Sequence, residues 1–321
     1  DCRKPDGVYA MSKHYSVLLS ECLEGLAIRA DGIYVDGTLG RGGHSAQILQ
    51  RIPKGYLYAF DRDETAIKES KERLLSIASN FTLIHNQFSM LKEELSNRGI
   101  YQIDGMLLDL GVSSPQFDDG ERGFSYRYDA PLDMRMDQSQ QKNAYDVVNS
   151  YDYHELVRIF YQYGEEKFAK QIARNIEKQR AIKPIATTFE LVEVIKASLP
   201  AKVLNKKGHP AKKVFQAIRI EVNDELKEIE TVLQDAMDML AVGGRLCVIS
   251  FLSLEDRIVK EAFHERSTPK KVDKRIPMLP QDIETVDYRL VNRKPIIASE
   301  EELEENNRSH SAKLRIIERV G

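Results

Sequence analysis

The chain has 321 residues, 42% apolar and 30% charged, and its 47 basic and 50 acidic side chains leave a formal charge of -3. At roughly 150 residues per domain this is about two units with a large core, which excludes a small stapled scaffold or a disordered chain and argues against coating nucleic acid through bulk positive charge. No run nears the roughly 18 apolar residues of a membrane helix, and Cys2, Cys22 and Cys247 are too scattered for a disulfide framework or metal site, so a reducing cytoplasm is expected.

Residues 1–10 show no periodicity and are expected to be an extension outside the fold. Residues 32–37, 56–61, 81–86 and 105–110 are short apolar runs that end in polar residues or glycine, the pattern of buried parallel strands. Between the second and third, residues 64–79 put Ile67, Leu74, Leu75 and Ala78 on one helical face, with Asp63 as cap. This alternation predicts a doubly wound α/β sheet whose ligands sit beyond the carboxyl ends of its strands.

The rhythm breaks after a loop over residues 116–137. Residues 138–213 carry helix-like stretches, such as 153–163 and 167–179, and no convincing strand, so they are expected to be an inserted helical domain in a discontinuous domain of residues 11–137 and 214–321. A long amphipathic helix follows, capped by Asn223, with Leu226, Ile229, Leu233, Met237 and Leu240 on one face and Gly243 and Gly244 as its stop. Residues 244–251 resume the sheet, residues 255–266 form a helix, and residues 287–297 and 312–320 supply two last strands. The glutamate run over residues 300–305 is expected to be a solvated turn.

Two motifs carry chemistry. The first is Val35-Asp36-Gly37-Thr38-Leu39-Gly40-Arg41-Gly42-Gly43-His44-Ser45, with four glycines in seven residues between a strand and a helix. Glycine lets backbone approach a ligand, and helix-start amides hold anionic groups. The alternative is an ordinary turn. The spacing differs from the Gly-x-Gly-x-x-Gly pattern for a pyrophosphate, which weakens a nicotinamide-dependent oxidoreductase. Asp61, eighteen residues past Gly43, can accept both ribose hydroxyls of an adenosine ligand. With Asp36 and Asp109 at other strand ends, the carboxylates suit a cationic cofactor, and S-adenosylmethionine carries a sulfonium. Each aspartate alone reads equally well as a strand-end cap.

The second motif, Leu107-Leu108-Asp109-Leu110-Gly111-Val112-Ser113-Ser114-Pro115-Gln116, resembles the Asp/Ser/Asn-Pro-Pro-aromatic signature of enzymes that methylate exocyclic amines. A cytosine N4 lone pair is delocalised, so a site must accept its N–H hydrogens and hold the nitrogen in line with the methyl carbon. Carbonyls over Ser113, Ser114 and Pro115 suit that task, and Asp109 can orient the amine or cofactor. Asp109, Asp133 and water all remain candidates for the released proton. The alternative is a proline-terminated strand.

Arg122-Gly123-Phe124-Ser125-Tyr126 and Pro131-Leu132-Asp133-Met134-Arg135-Met136 gather aromatic, carboxylate and guanidinium groups that suit a flipped base, against the rival that Phe124 and Met134 are core. Residues 201–219 hold Lys202, Lys206, Lys207, Lys212, Lys213 and Arg219 without one acid, which marks a local RNA-facing patch. His209 reads as structural or phosphate-contacting, and no metal site is expected.

With these motifs in order, the chain resembles the ribosomal RNA small subunit methyltransferase H family over residues 13–320. The resemblance implies a Rossmann-like class I S-adenosylmethionine-dependent methyltransferase with an inserted helical domain. It implies methylation of the N4 of a decoding-centre cytidine in 16S rRNA of the small ribosomal subunit, and it leaves a homodimer open. Cofactor contacts are then expected from Gly42, Gly43, His44, Asp61, Phe88, Asp109 and Gln116. One departure stands out: the family usually has Ser-Phe-His-Ser-Leu-Glu-Asp-Arg where this chain has Ser250-Phe251-Leu252-Ser253-Leu254-Glu255-Asp256-Arg257. If that histidine touches the base, Leu252 implies reduced turnover with full cofactor binding. A non-catalytic RNA-binding factor with a relic pocket is the remaining alternative, told apart by cofactor binding without product.

Overall fold

In the computed structural model, residues 16–111, 114–269 and 285–321 are described. The expected extension at residues 1–10 and part of the Ser113 motif lie outside them. Seven strands form one sheet: β1 (Ile33–Asp36), β2 (Tyr56–Asp61), β3 (Phe81–His85), β4 (Ile103–Asp109), β5 (Leu240–Ser250), β6 (Tyr288–Leu290) and β7 (Lys313–Arg319). Their order is β3-β2-β1-β4-β5-β7-β6. The first five are parallel, while β7 runs antiparallel between β5 and β6. This is the doubly wound, Rossmann-like sheet, and its direction of winding reverses between β1 and β4.

Strand periodicity splits the core. Tyr34, Leu57, Leu107 and Cys247 point into one apolar layer, and their neighbours Val35, Tyr58, Leu108 and Val248 into the other. Helices Leu19–Leu26 and Gly43–Arg51 contribute to the first layer. Helices Glu225–Met239 and Ser253–Ser267 contribute to the second. A third core is built from Phe124 to Val222 by helices that include Tyr153–Gln162, Ala169–Ile182, Thr188–Ala197 and Lys212–Val222. Phe124 and Met134, 3% and 0% exposed, belong to it, so core packing accounts for both side chains.

Several local expectations need correction. The helix after β2 ends at Leu75, which is 53% exposed, because it lies about 100° around the helix from buried Leu74. Asp63 does cap that helix, accepting from the Thr65 N–H at 3.0 Å. Asn223 does not cap its helix. Its Oδ1 accepts the Met136 N–H at 2.9 Å and its Nδ2 donates to the Met134 carbonyl at 2.8 Å, so it staples the loop after β4. The following helix ends at Met239, before either glycine, because Leu240 already pairs with Ile103 in the sheet. The last predicted strand pair is shorter on its first member: β6 covers three residues, and Ile296 meets Leu314 as an isolated bridge. The glutamate run is a helix, Glu300–Glu305, and not merely solvated: Glu302 accepts the Leu18 N–H at 2.8 Å and the Ser309 hydroxyl at 2.6 Å.

Candidate active site

A crevice of about 1430 Å3 opens at the carboxyl edge of the sheet, across the reversal between β1 and β4. Three of the parallel strands end in an aspartate: Asp36 on β1, Asp61 on β2 and Asp109 on β4. Gly43, His44, Asp61, Phe88, Asp109 and Gln116 all face this crevice. Asp36 does not line it.

The glycine loop is shaped by its hydrogen bonds. Asp36 is buried, and its carboxylate accepts the Thr38 N–H at 3.0 Å and the Ser45 hydroxyl at 2.6 Å, so it braces the loop from below. Gly42 precedes helix Gly43–Arg51 with φ 76°, a left-handed conformation that strains any residue with a Cβ. Gly43 packs so closely that an added Cβ would lie 1.9 Å from the Ser16 Oγ. His44 Nε2 lies 2.9 Å from the Val17 carbonyl; a carbonyl only accepts, so Nε2 carries the proton.

Asp61 is the most perturbed acid of the crevice. Burial pushes its carboxyl up to about 6, even though it accepts N–H groups from Asp63 and Gly40 at 2.9 and 2.8 Å. It thereby links the loops after β1 and β2. Burial likewise raises Asp36. Asp109 receives its backbone order from Thr38, whose Oγ1 accepts the Asp109 N–H at 2.7 Å. Gln116, on helix Ser114–Asp118, lies 3.4 Å from Asp63, which is ion-paired with Arg122. Ser114 and Pro115 begin that short helix, and Ser113 lies outside the described residues.

Asp133 stands apart from this group. Its carboxylate is engaged by Arg135 Nε at 2.6 Å, and it does not line the crevice. On the insert side, Lys202, Lys206, Lys207, Lys212 and Lys213 are exposed. Arg219 leaves the patch, since it pairs with Glu225 at 3.1 Å with both side chains largely buried. His209 stacks on Tyr126 with ring centroids 4.1 Å apart, and burial, with Lys196 and Arg127 nearby, lowers its pKa. The lining residues that sequence reasoning missed include Ser16, Arg62 and Arg308; Arg62 follows Asp61 directly, whereas Ser16 and Arg308 come from segments far from the two motifs in the chain. Among the described residues no group of three His, Cys, Asp or Glu could hold a metal ion, and no helix is long and apolar enough to cross a membrane.

The sequence model of the MraW methylase family matches residues 11–320. The chain belongs to that family. This methylase is 56% identical to "Ribosomal RNA small subunit methyltransferase H" of Exiguobacterium sibiricum over 310 residues, 97% of this chain and 99% of the relative. Solved structures similar to it include a proposed rRNA-methylase from Clostridium thermocellum, with a TM-score of 0.45 and 12% identity, covering 95% of this chain and 99% of the other. An rRNA methylase from Streptococcus thermophilus aligns with a TM-score of 0.41 and 14% identity over 94% of each chain. The fold is that of class I S-adenosylmethionine-dependent methyltransferases, and S-adenosylmethionine is the cofactor of such a methylase. The lining is compatible with it: backbone at Gly37 and Gly43 is packed too closely for a Cβ, Gly40 and Gly42 are left-handed, and Asp61 and Asp109 bring carboxylates to the crevice.

Proposed function

We propose that this methylase transfers a methyl group from S-adenosylmethionine to the exocyclic N4 of a decoding-centre cytidine in 16S rRNA of the small ribosomal subunit. The observation that carries the reading is the meeting of Asp61, Phe88, Asp109 and Gln116 around one crevice at the reversal of the sheet. The 56% identical ribosomal RNA small subunit methyltransferase H of Exiguobacterium sibiricum, matched almost end to end, supports the ribosomal RNA substrate.

Bound S-adenosylmethionine supplies a methyl carbon on sulfur; transfer breaks the S–C bond, forms the C–N4 bond, leaves a neutral thioether and releases one N4 proton. Asp61 accepts the ribose hydroxyls, Phe88 packs against the adenine, and Gly42, Gly43 and His44 bring backbone to the cofactor. Gln116 hydrogen-bonds the cofactor or its loop. Asp109 orients the amine, with carbonyls over Ser113, Ser114 and Pro115 accepting its N–H hydrogens. The proton passes to water or to Asp109; Asp133 serves this role only if it exchanges Arg135 for solvent or substrate.

Residues 138–213 are the greater part of the substrate-recognition insert, whose core also takes in Phe124 to Met136 before it and the helix to Val222 after it; the rest of residues 11–137 and 214–321 is the methyltransferase domain. Exposed lysines on that insert hold the phosphate backbone. The protein works in the cytoplasm, where assembling subunits are found; a homodimer is compatible with this and is checked by sedimentation.

The test is incubation with S-adenosylmethionine and small subunits or their RNA from cells lacking the activity, followed by mass spectrometry of nucleosides. N4-methylcytidine at one site is expected. Its absence, with cofactor bound, would favour a non-catalytic RNA-binding factor.

A further inference from the structure

The crevice holds a cation with no part in the reading above. Arg308, on the turn Asn307–Ser311, is 199 residues from Asp109 in the chain, yet its NH2 and NH1 lie 3.3 and 3.4 Å from the two Asp109 carboxylate oxygens. The guanidinium carbon also sits 4.6 Å from the centroid of the Phe251 ring. These hydrogen bonds are long, since charge-assisted pairs are typically about 2.7–2.9 Å. The pair between Arg315 and Asp256, at 2.8 and 3.1 Å in the same protein, is tighter. The Arg308 side chain is 29% exposed against 11% for Asp109. It rests on a ring face and leans on a carboxylate, so it can give up the carboxylate and keep the ring.

We propose that Arg308 is a displaceable counter-ion of Asp109 that sets how strongly the crevice prefers a charged sulfonium over the neutral thioether product. This rests on the S-adenosylmethionine reading. The donor and its product share the adenosine, the amino group and the carboxylate; they differ by a methyl group and one positive charge. Neutral contacts, such as the glycine-loop amides, act on both alike. A charge near the sulfur does not. Asp109 paired with Arg308 offers a cation little attraction, whereas Asp109 released from Arg308 offers a full carboxylate. An incoming sulfonium therefore competes with Arg308 for Asp109, and the displaced guanidinium stays on Phe251. Once the charge has left with the methyl group, nothing opposes the return of Arg308 to Asp109. The crevice then has no charge that favours the product. Arg308 is thus a positioning residue that acts through Asp109.

The test is calorimetric titration of the full chain with S-adenosylmethionine and with S-adenosylhomocysteine at low salt. In Arg308→Ala the ratio of the two affinities shifts toward S-adenosylmethionine by about tenfold, while Arg308→Lys stays within about twofold of the parent, because one nearby charge acts on only one ligand. Asp109→Asn moves the ratio the other way. Arg308→Met keeps an apolar stem on Phe251 and carries the test if the alanine variant does not fold. An equal change for both ligands, or a shift toward the product, would overturn the counter-ion role. If the parent protein binds neither ligand, the cofactor reading fails instead.

Discussion

Asp63 and Arg122 form a nearly buried ion pair that ties the helix after β2 to the loop after β4. Arg122 also donates to the carbonyls of Arg135 and Met136 at 2.9 and 3.0 Å, so one guanidinium holds both ends of that loop. Removing it strands the Asp63 carboxylate with little solvent. Arg122→Met is expected to cost about 3 kcal/mol, the scale for breaking a buried pair from one side. A lower urea midpoint with an unchanged slope checks this.

The raised Asp61 carboxyl makes cofactor binding pH-dependent. Ribose hydroxyls donate to its ionised form, so affinity for S-adenosylmethionine is level well above pH 6 and falls as pH drops through about 6, toward tenfold per unit. For the empty protein the sign is opposite. The folded state holds this proton more tightly than the unfolded one, so Asp61 costs stability as pH rises from about 4 to about 6. Titration between pH 5 and 8 should show the slope in the parent and lose it in Asp61→Asn.

Gly123 has φ 73°, and a Cβ there would lie 2.4 Å from the Pro131 carbonyl oxygen and 3.1 Å from the Asp133 nitrogen. Backbone on the far side cannot swing away as a side chain would. Gly123→Ala is expected to cost about 2–3 kcal/mol through strain and clash and to displace the loop that carries Phe124 and Asp133. RNA methylation should drop more than cofactor affinity, as measured by parallel activity and calorimetry.

The exposed lysines give a salt signature. Replacing Lys206, Lys207 and Lys212 by alanine should weaken RNA binding and reduce the slope of log affinity against log salt by about 0.7 for each lost phosphate contact. Binding of S-adenosylmethionine should not change. An unaltered slope would remove these lysines from the RNA interface.

Leu252 is half-buried and outside the crevice lining, and its N–H donates to Glu255 at 2.9 Å. A backbone contact survives a change of side chain. Leu252→His is therefore expected to leave cofactor affinity within about twofold, and any gain should be confined to turnover on RNA. Steady-state assays that vary RNA at saturating cofactor separate these effects.

The three strand-end aspartates and the glycine loop were legible because both depend on local patterns: apolar runs that end in an acid, and glycine where backbone must turn left-handed. Contacts between distant segments leave no such trace. Arg308 in isolation is one arginine in a polar turn; only the antiparallel placement of β7 beside β5 brings its segment toward Asp109. Asn223 misled for a related reason. Asparagine before a helix is a good cap by composition, but the left-handed Asp224, φ 48°, sends the Asn223 side chain to Met134 and Met136 instead. Glu302 shows the same limit, a residue whose partner, Leu18, is 284 positions away.

That last bond has a bearing on biosynthesis. Ser16, Leu19 and Arg308 all border the crevice, and Glu302 fastens the early segment to the late one. A nascent polypeptide paused before Asn307 already contains all five parallel strands, yet it lacks a wall of its pocket and the cation beside Asp109. Closure of the crevice therefore waits on residues beyond 306, after every parallel strand has been made.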